Sequence, residues 1–205
     1  MAKTILTPFQ TKVLDFFSKQ KGWFNRFYLS GGTALSQFHL HHRLSEDLDF
    51  FSEEEFSLTN INILLRKLKI NLPEISTIEF REFMGIRTFF VHYPEGVLKI
   101  DFNYYPFPRL EKGQKYNNLS IDSLMDIAVN KMQTISTKPR SRDFVDLYLI
   151  IKSEKITLKE LVKLARLKFD WFVDPLHLAS RLLMANDAID LPKMLIPLEP
   201  KIWQD

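Results

Sequence analysis

Gly31 and Gly32 stand at the head of a helical pattern, and Asp47 and Asp49 follow two residues apart in an apolar setting. All four lie in the run YLSGGTALSQFHLHHRLSEDLDFF, from Tyr28 to Phe51. The first N–H groups of a helix are unpaired and lie at the positive end of its dipole, so that place attracts phosphate. Two carboxylates at strand spacing project to the same side and can hold magnesium. A third carboxylate, Asp101, belongs to a later strand pattern. There Leu98, Ile100 and Phe102 face one way and Lys99, Asp101 and Asn103 the other. If the two strands are neighbours, three carboxylates converge, and such a set can hold two magnesium ions roughly 3.5–4 Å apart. One ion would lower the pKa of an attacking hydroxyl, and the other would neutralise a triphosphate and its pyrophosphate leaving group. Gly31 and Gly32 would let the backbone approach those phosphates closely.

The elements that must position these residues are legible in outline. Thr7-Pro8 opens a helix to about Lys19, with Phe9, Val13, Phe16 and Phe17 at helical spacing. Trp23–Leu29 reads as a short aromatic strand, Thr33–His39 as a helix and Leu48–Phe51 as a second strand. A helix runs from Ser57 to about Lys69 on the stripe Ile61, Leu64, Leu65 and Leu68, and Ile75–Glu82 is a further strand. Arg87–Tyr93 and Val97–Tyr104 pair as a hairpin about Pro94-Glu95-Gly96. Phe107–Asn118 is a connector, and everything downstream reads as helical: Asp122–Ile135, Ser141–Ile151, Thr157–Lys168 with a capping box, and Asp174 to about Ala188. The fold class is therefore α+β, with a short mixed sheet flanked by helices over residues 1–115 and a helical domain over 116–205.

Composition sets limits on function. A chain that is 45% hydrophobic with 18 Phe has the material for a core. The absence of cysteine excludes disulfides and thiolate zinc sites. No apolar run approaches the roughly 20 residues that span a bilayer, and no signal peptide is evident, so a cytoplasmic protein without membrane contact is expected. A net charge of +3 does not argue for nucleic acid by itself. Locally, the stretch from Ile127 to Arg142 contains no acidic residue and carries Lys131, Lys138, Arg140 and Arg142.

The segments GGTAL, HRLSEDLDFF and KIDF together resemble the AbiEii-type toxin nucleotidyltransferases, within the polymerase-β-like nucleotidyltransferase superfamily. The later segment IAVNKMQTISTKPRSRDFVDLYLI is similar to the same family's helical region. The resemblance covers roughly residues 25–150. It implies that Gly31, Gly32 and Thr33 contact triphosphate and that Asp47, Asp49 and Asp101 are the metal ligands. Lys131 would neutralise phosphate charge, Asp143 would be the acidic residue the toxins need, and Arg43 and Ser45 would meet phosphate or position the loop. It also implies two Mg2+ ions, with Mn2+ as a substitute, a nucleoside triphosphate substrate, an RNA acceptor such as a tRNA 3′ end, and a cognate antitoxin. A nucleotide- or RNA-binding module without turnover would be expected to lose at least one of the three carboxylates. A magnesium nuclease would leave Gly31-Gly32 unexplained.

Other residues have plainer readings. His39 and His42 would share a helix face, with His41 beside them, but such histidines are more often surface groups than metal ligands. Asp143 and Asp146 lie on one helical face near Arg142, where an ion-pair cluster is as good an expectation as catalysis. Glu53, Glu54 and Glu55 read as a solvated charge run. Trp171-Phe172 reads as core, and Tyr104, Tyr105 and Phe107 as rim packing or a base-stacking surface.

Overall fold

The structure is a computed structural model that describes residues 4–172, 174–199 and 202. Its contacts divide the chain into two compact units. The first comprises Met1–Ala34, Ser45–Pro106 and Gln114–Ile121; the second comprises Leu35–Leu44, Phe107–Gly113 and Asp122–Asp205.

The first unit is built on a mixed sheet of β1 (Phe27–Ser30), β2 (Leu48–Ser52), β3 (Thr77–Phe83), β4 (Ile86–Tyr93), β5 (Gly96–Tyr104), β6 (Lys115–Tyr116) and β7 (Leu119–Ile121). Among the described residues the strand order is β3-β4-β5-β2-β1-β7-β6. The β2–β5 and β1–β7 pairs are parallel and the rest antiparallel. Helices α1 (Pro8–Ser18) and α3 (Leu58–Asn71) complete this unit. Helix α1 opens on a full capping box: Thr7 Oγ1 accepts from the Gln10 N–H, and the Gln10 side chain accepts from the Thr7 N–H. The phenylalanines explain themselves in the core. Phe17 meets Phe50 at 5.0 Å between ring centroids, Phe50 stacks on Phe102 at 5.3 Å, and Phe24 stacks on Phe27 at 5.2 Å. Rings packed in this way add to the area they bury.

Several local expectations are corrected. The segment read as one strand from Trp23 begins as a 3₁₀ turn, Gly22–Arg26, and the strand starts at Phe27. The three-residue period of that turn sets Phe24 and Phe27 on one side, where both are buried. The connector does not lead directly into helices. Its end forms β6, which pairs with β7 just beyond it; the three-residue β7 is too short to show a period and is fixed by its partners β1 and β6.

The second unit holds α4 (Leu124–Thr137), α5 (Ser141–Glu154), α6 (Leu158–Phe169), α7 (Pro175–Leu183) and a 3₁₀ turn, Met184–Asp187. Buried Asp126 ties it together. Its carboxylate accepts from Lys168 Nζ at 2.6 Å, from Ser123 Oγ at 2.7 Å, and from the Leu110 and Glu111 N–H groups. Trp171-Phe172 is not core: α6 ends with Asp170 in the left-handed region, and Phe172 is 72% exposed beneath Arg166. Phe107 packs edge-on against Phe169, as rim packing requires. No helix among the described residues is long and apolar enough to cross a membrane.

Candidate active site

Strand β1 ends at Ser30, and the chain turns at once into helix α2 (Gly31–Leu35), which widens into a π turn, Ser36–Leu40. Gly31 makes the turn with φ +71°, a conformation that L side chains rarely adopt. It has a second reason to be glycine. A Cβ there would lie 2.5 Å from Oδ2 of Asp49. Ser30 and Asp49 are register partners in the antiparallel β1–β2 pair, which is why the carboxylate lies against the turn.

On its other side β2 runs parallel to β5, and Asp49 and Asp101 are register partners there. The neighbouring strands that the sequence reading required are therefore present. Leu98, Ile100 and Phe102 are buried on the opposite face of β5, which fixes Lys99 and Asp101 on the same side as one another. Asp101 is itself nearly buried. Its Oδ1 accepts from Thr88 Oγ1 on β4 at 2.6 Å and its Oδ2 from Lys99 Nζ at 2.6 Å. The same ammonium is 3.6 Å from Oδ2 of Asp47. Burial pushes the Lys99 pKa down, but the hydrogen bond from Lys99 to Asp101 and the charges of Asp47, Asp101 and Asp49 outweigh it, and the net shift is upward.

The backbone leading into β2 is held from two directions. Gln10 Nε2 donates to the carbonyls of Ser45 at 2.9 Å and Glu46 at 3.0 Å. Thr33 is fully buried and its hydroxyl donates to the carbonyl of Asp47. Thr33 thus fixes the Asp47 backbone. Gln10 and Thr88 are site residues that the sequence reading missed. Gln10 gave only a capping signal, and Thr88 gave none, because its partner lies across a strand pair.

The donor set suits a hard divalent cation: three carboxylates on neighbouring backbone, a turn with no Cβ beside one of them, and a cationic group already standing between the other two. As the side chains stand, no group of three or more His, Asp or Glu among the described residues forms a ready cage. Thr88 and Lys99 hold the Asp101 carboxylate instead.

The remaining expected residues gather in the second unit. Arg43 is buried and its guanidinium grips Asp146, with Nε to Oδ1 at 2.7 Å and Nη2 to Oδ2 at 2.8 Å. Lys131 Nζ lies 2.7 Å from both Asp143 Oδ1 and Asp146 Oδ2. His42 contacts Asp146 at 2.8 Å, and Arg140 contacts Asp143 at 2.9 Å. Burial alone would raise the pKa of both aspartates. The Lys131 charge, with Arg140 for Asp143 and with Arg43 and His42 for Asp146, drives both below the ordinary range, Asp146 well below it. The ion-pair reading of these residues is therefore what the geometry displays. His39 and His42 do not share a helix face. His41 takes the left-handed conformation after the π turn, so His42 leaves the helix, while the His39 ring meets the carbonyl of Asp122.

An uncharacterised protein of Aquifex aeolicus is 33% identical over 149 residues, which cover 71% of this chain and 67% of that one. Among solved structures, JHP933 from Helicobacter pylori is similar at a TM-score of 0.53 and 21% identity, over 87% of this chain and 72% of that one. The Megavirus polyadenylate synthase is similar at a TM-score of 0.50 and 14% identity, over 72% of this chain and 31% of that one. At these identities the likeness is one of fold. A glycine turn, two strand-borne aspartates in register and a match over residues 15–201 converge on one conclusion: the chain belongs to the nucleotidyl transferase AbiEii toxin family of type IV toxin–antitoxin systems.

Proposed function

We propose that this nucleotidyltransferase moves a nucleoside monophosphate from a nucleoside triphosphate to a hydroxyl at an RNA 3′ end, such as that of a tRNA. In this reading the reaction depends on Mg2+, with Mn2+ as a substitute, and the protein is a toxin restrained by a cognate antitoxin. The observation that carries the reading is the register of Asp49 with Asp101 beside the Gly31 turn. It supports Asp47, Asp49 and Asp101 as metal ligands and Gly31, Gly32 and the start of the following helix as the phosphate cradle. Bound divalent ions would neutralise triphosphate charge and lower the pKa of the attacking hydroxyl.

The chain's own residues then orient the reaction. Thr33 and Gln10 hold the backbone at Asp47 and just before it, and Thr88 aims one oxygen of Asp101. The acceptor oxygen bonds to the α-phosphorus, the α–β anhydride bond breaks, and pyrophosphate leaves with its electrons. The hydroxyl proton passes to a carboxylate on this face, Asp101 in this assignment, and on to solvent. Catalysis of this kind is mostly positioning and charge stabilisation. Lys131 and Asp143 are proposed to serve as a coupled pair, with Asp143 fixing the ammonium and Lys131 supplying positive charge. Arg43 and Ser45 hold the loop before Asp47. An RNA acceptor agrees with the name of one fold neighbour, a polyadenylate synthase.

The test is incubation with each labelled triphosphate, magnesium and total RNA, followed by separation of RNA from protein. Label on RNA with release of pyrophosphate is expected, and Asp49→Ala should abolish both this and growth arrest while leaving circular dichroism unchanged. Magnesium-dependent triphosphate binding without pyrophosphate release would identify a binding module instead. An Asp49→Ala protein that remains active would remove the metal assignment.

A further inference from the structure

Lys99 touches two of the three proposed ligands, Asp47 and Asp101. Its side chain leaves the polar face of β5 two residues before Asp101, so both lie on one face of the sheet. The ammonium is 2.6 Å from Oδ2 of Asp101 and 3.6 Å from Oδ2 of Asp47. The lysine side chain is 35% exposed, against 9% for Asp101 and 27% for Asp47, so of the three it is the one with most access to solvent. Lysine carries a compact charge on a flexible four-carbon stem. It can hold that place and it can also leave it.

We infer that Lys99 is a resident counter-ion of the active site, displaced when a divalent ion enters. This inference rests on the proposed metal site. Without a cation, Asp47, Asp49 and Asp101 would repel one another, and Asp101 would keep its Thr88 hydrogen bond but lose the ammonium that faces its other oxygen. Lys99 relieves that repulsion and keeps the carboxylates in place. An entering ion needs the same oxygen lone pairs and must compete with an ammonium held beside them. Bare metal therefore binds weakly. A metal ion that arrives with a triphosphate binds better, because the displaced ammonium finds phosphate oxygens as new partners. The device ties loading of the metal to loading of the substrate.

The test uses the full chain and Mn2+, followed by paramagnetic resonance of free and bound ion. Lys99→Met is expected to bind Mn2+ more tightly than wild type by roughly tenfold or more, since a unit charge a few ångströms away acts strongly at an effective dielectric of about 20. Lys99→Arg should stay near wild type. In EDTA, Lys99→Met should melt below wild type, and Mn2+ should raise its midpoint more than that of wild type. An unchanged or weaker Mn2+ affinity in Lys99→Met overturns the inference. If Asp49→Asn and Asp101→Asn also leave Mn2+ binding unchanged, the metal-site reading itself has failed, which is a different result. A second measurement needs no variant. Reductive methylation of Lys99 in wild type, read by peptide mass spectrometry, should be faster with Mn2+ than with EDTA, and equal or slower labelling overturns the inference.

Discussion

Gly31 and Asp49 share one small volume: the position of a Cβ on the glycine is 2.5 Å from the aspartate's Oδ2. The glycine backbone is also left-handed, at φ +71°. Gly31→Ala therefore meets two penalties, a strained backbone that alone costs about 1–3 kcal/mol and a displaced carboxylate. Urea denaturation should show the first and nucleotide transfer the second, with activity falling further than the loss of folded protein explains. A stable, fully active Gly31→Ala would mean that the turn and the carboxylate are not coupled.

Thr88 reaches across from β4 to hold Asp101. Thr88→Val keeps the shape and removes the donor. Groups that orient metal ligands are worth roughly 10–100-fold in metal affinity or activity, and a loss in that range is expected with little change in melting temperature. Steady-state kinetics across a magnesium series would check it, because a loosened Asp101 should show chiefly as weaker apparent magnesium affinity. Unchanged magnesium dependence would make the bond incidental to the site.

Gln10 holds the carbonyls of Ser45 and Glu46 while its N–H and Oε1 complete the α1 cap. Gln10→Leu leaves those carbonyls without their donor and breaks the capping box, for a combined cost of about 1–3 kcal/mol. Chemical denaturation measures that directly. Transfer activity should also drop under conditions where the variant is fully folded, since the backbone before Asp47 loses its tether.

Asp146 receives Arg43, Lys131 and His42 inside the second unit. Removing one partner of a buried charge network costs about 3–5 kcal/mol because the others stay buried and uncompensated. Asp146→Ala should fall in that range. Asp143→Asn should cost less, because its partner Arg140 is half exposed. If Asp143 also serves catalysis, Asp143→Asn will lose activity out of proportion to its stability, and thermal melts paired with transfer assays separate the two effects.

Acid should unfold this unit in a defined direction. Asp126, Asp143 and Asp146 all have lowered pKa values in the folded chain, where burial is outweighed by the cations Lys168, Lys131, Arg140 and Arg43 and by hydrogen bonds. Their stabilisation is complete above the unfolded carboxyl value of about 4. It is lost as pH falls through the lowered folded values. Stability measured by denaturant should therefore decline below about pH 4, and Asp146→Asn should flatten that decline.

The site's carboxylates were legible because strands alternate. The Lys99/Asp101 face follows from a period of two, and the burial of Ile100 and Phe102 confirms that face; Asp47 lies one residue before β2, outside the strand. Helices with caps at Thr7, Ser57 and Thr157 were legible for the same local reason. What failed was non-local or too short for a period. Strand β7 exists because β1 offers it a parallel edge, Thr88 matters because β4 lies beside β5, and the His42 excursion depends on a π turn that no spacing announces.

The strand order has a consequence for synthesis. Strand β5 lies between β4 and β2, yet it leaves the ribosome long after β2, with α3 and the β3–β4 hairpin made in the interval. Until it is inserted, β2 has no parallel neighbour and Asp49 has no Asp101 opposite it. A nascent or prematurely terminated chain that stops short of Asp101 thus carries the glycine turn and the first aspartates without their third member. On the proposed assignment, only chains that have passed that strand carry all three carboxylates on the assembled sheet.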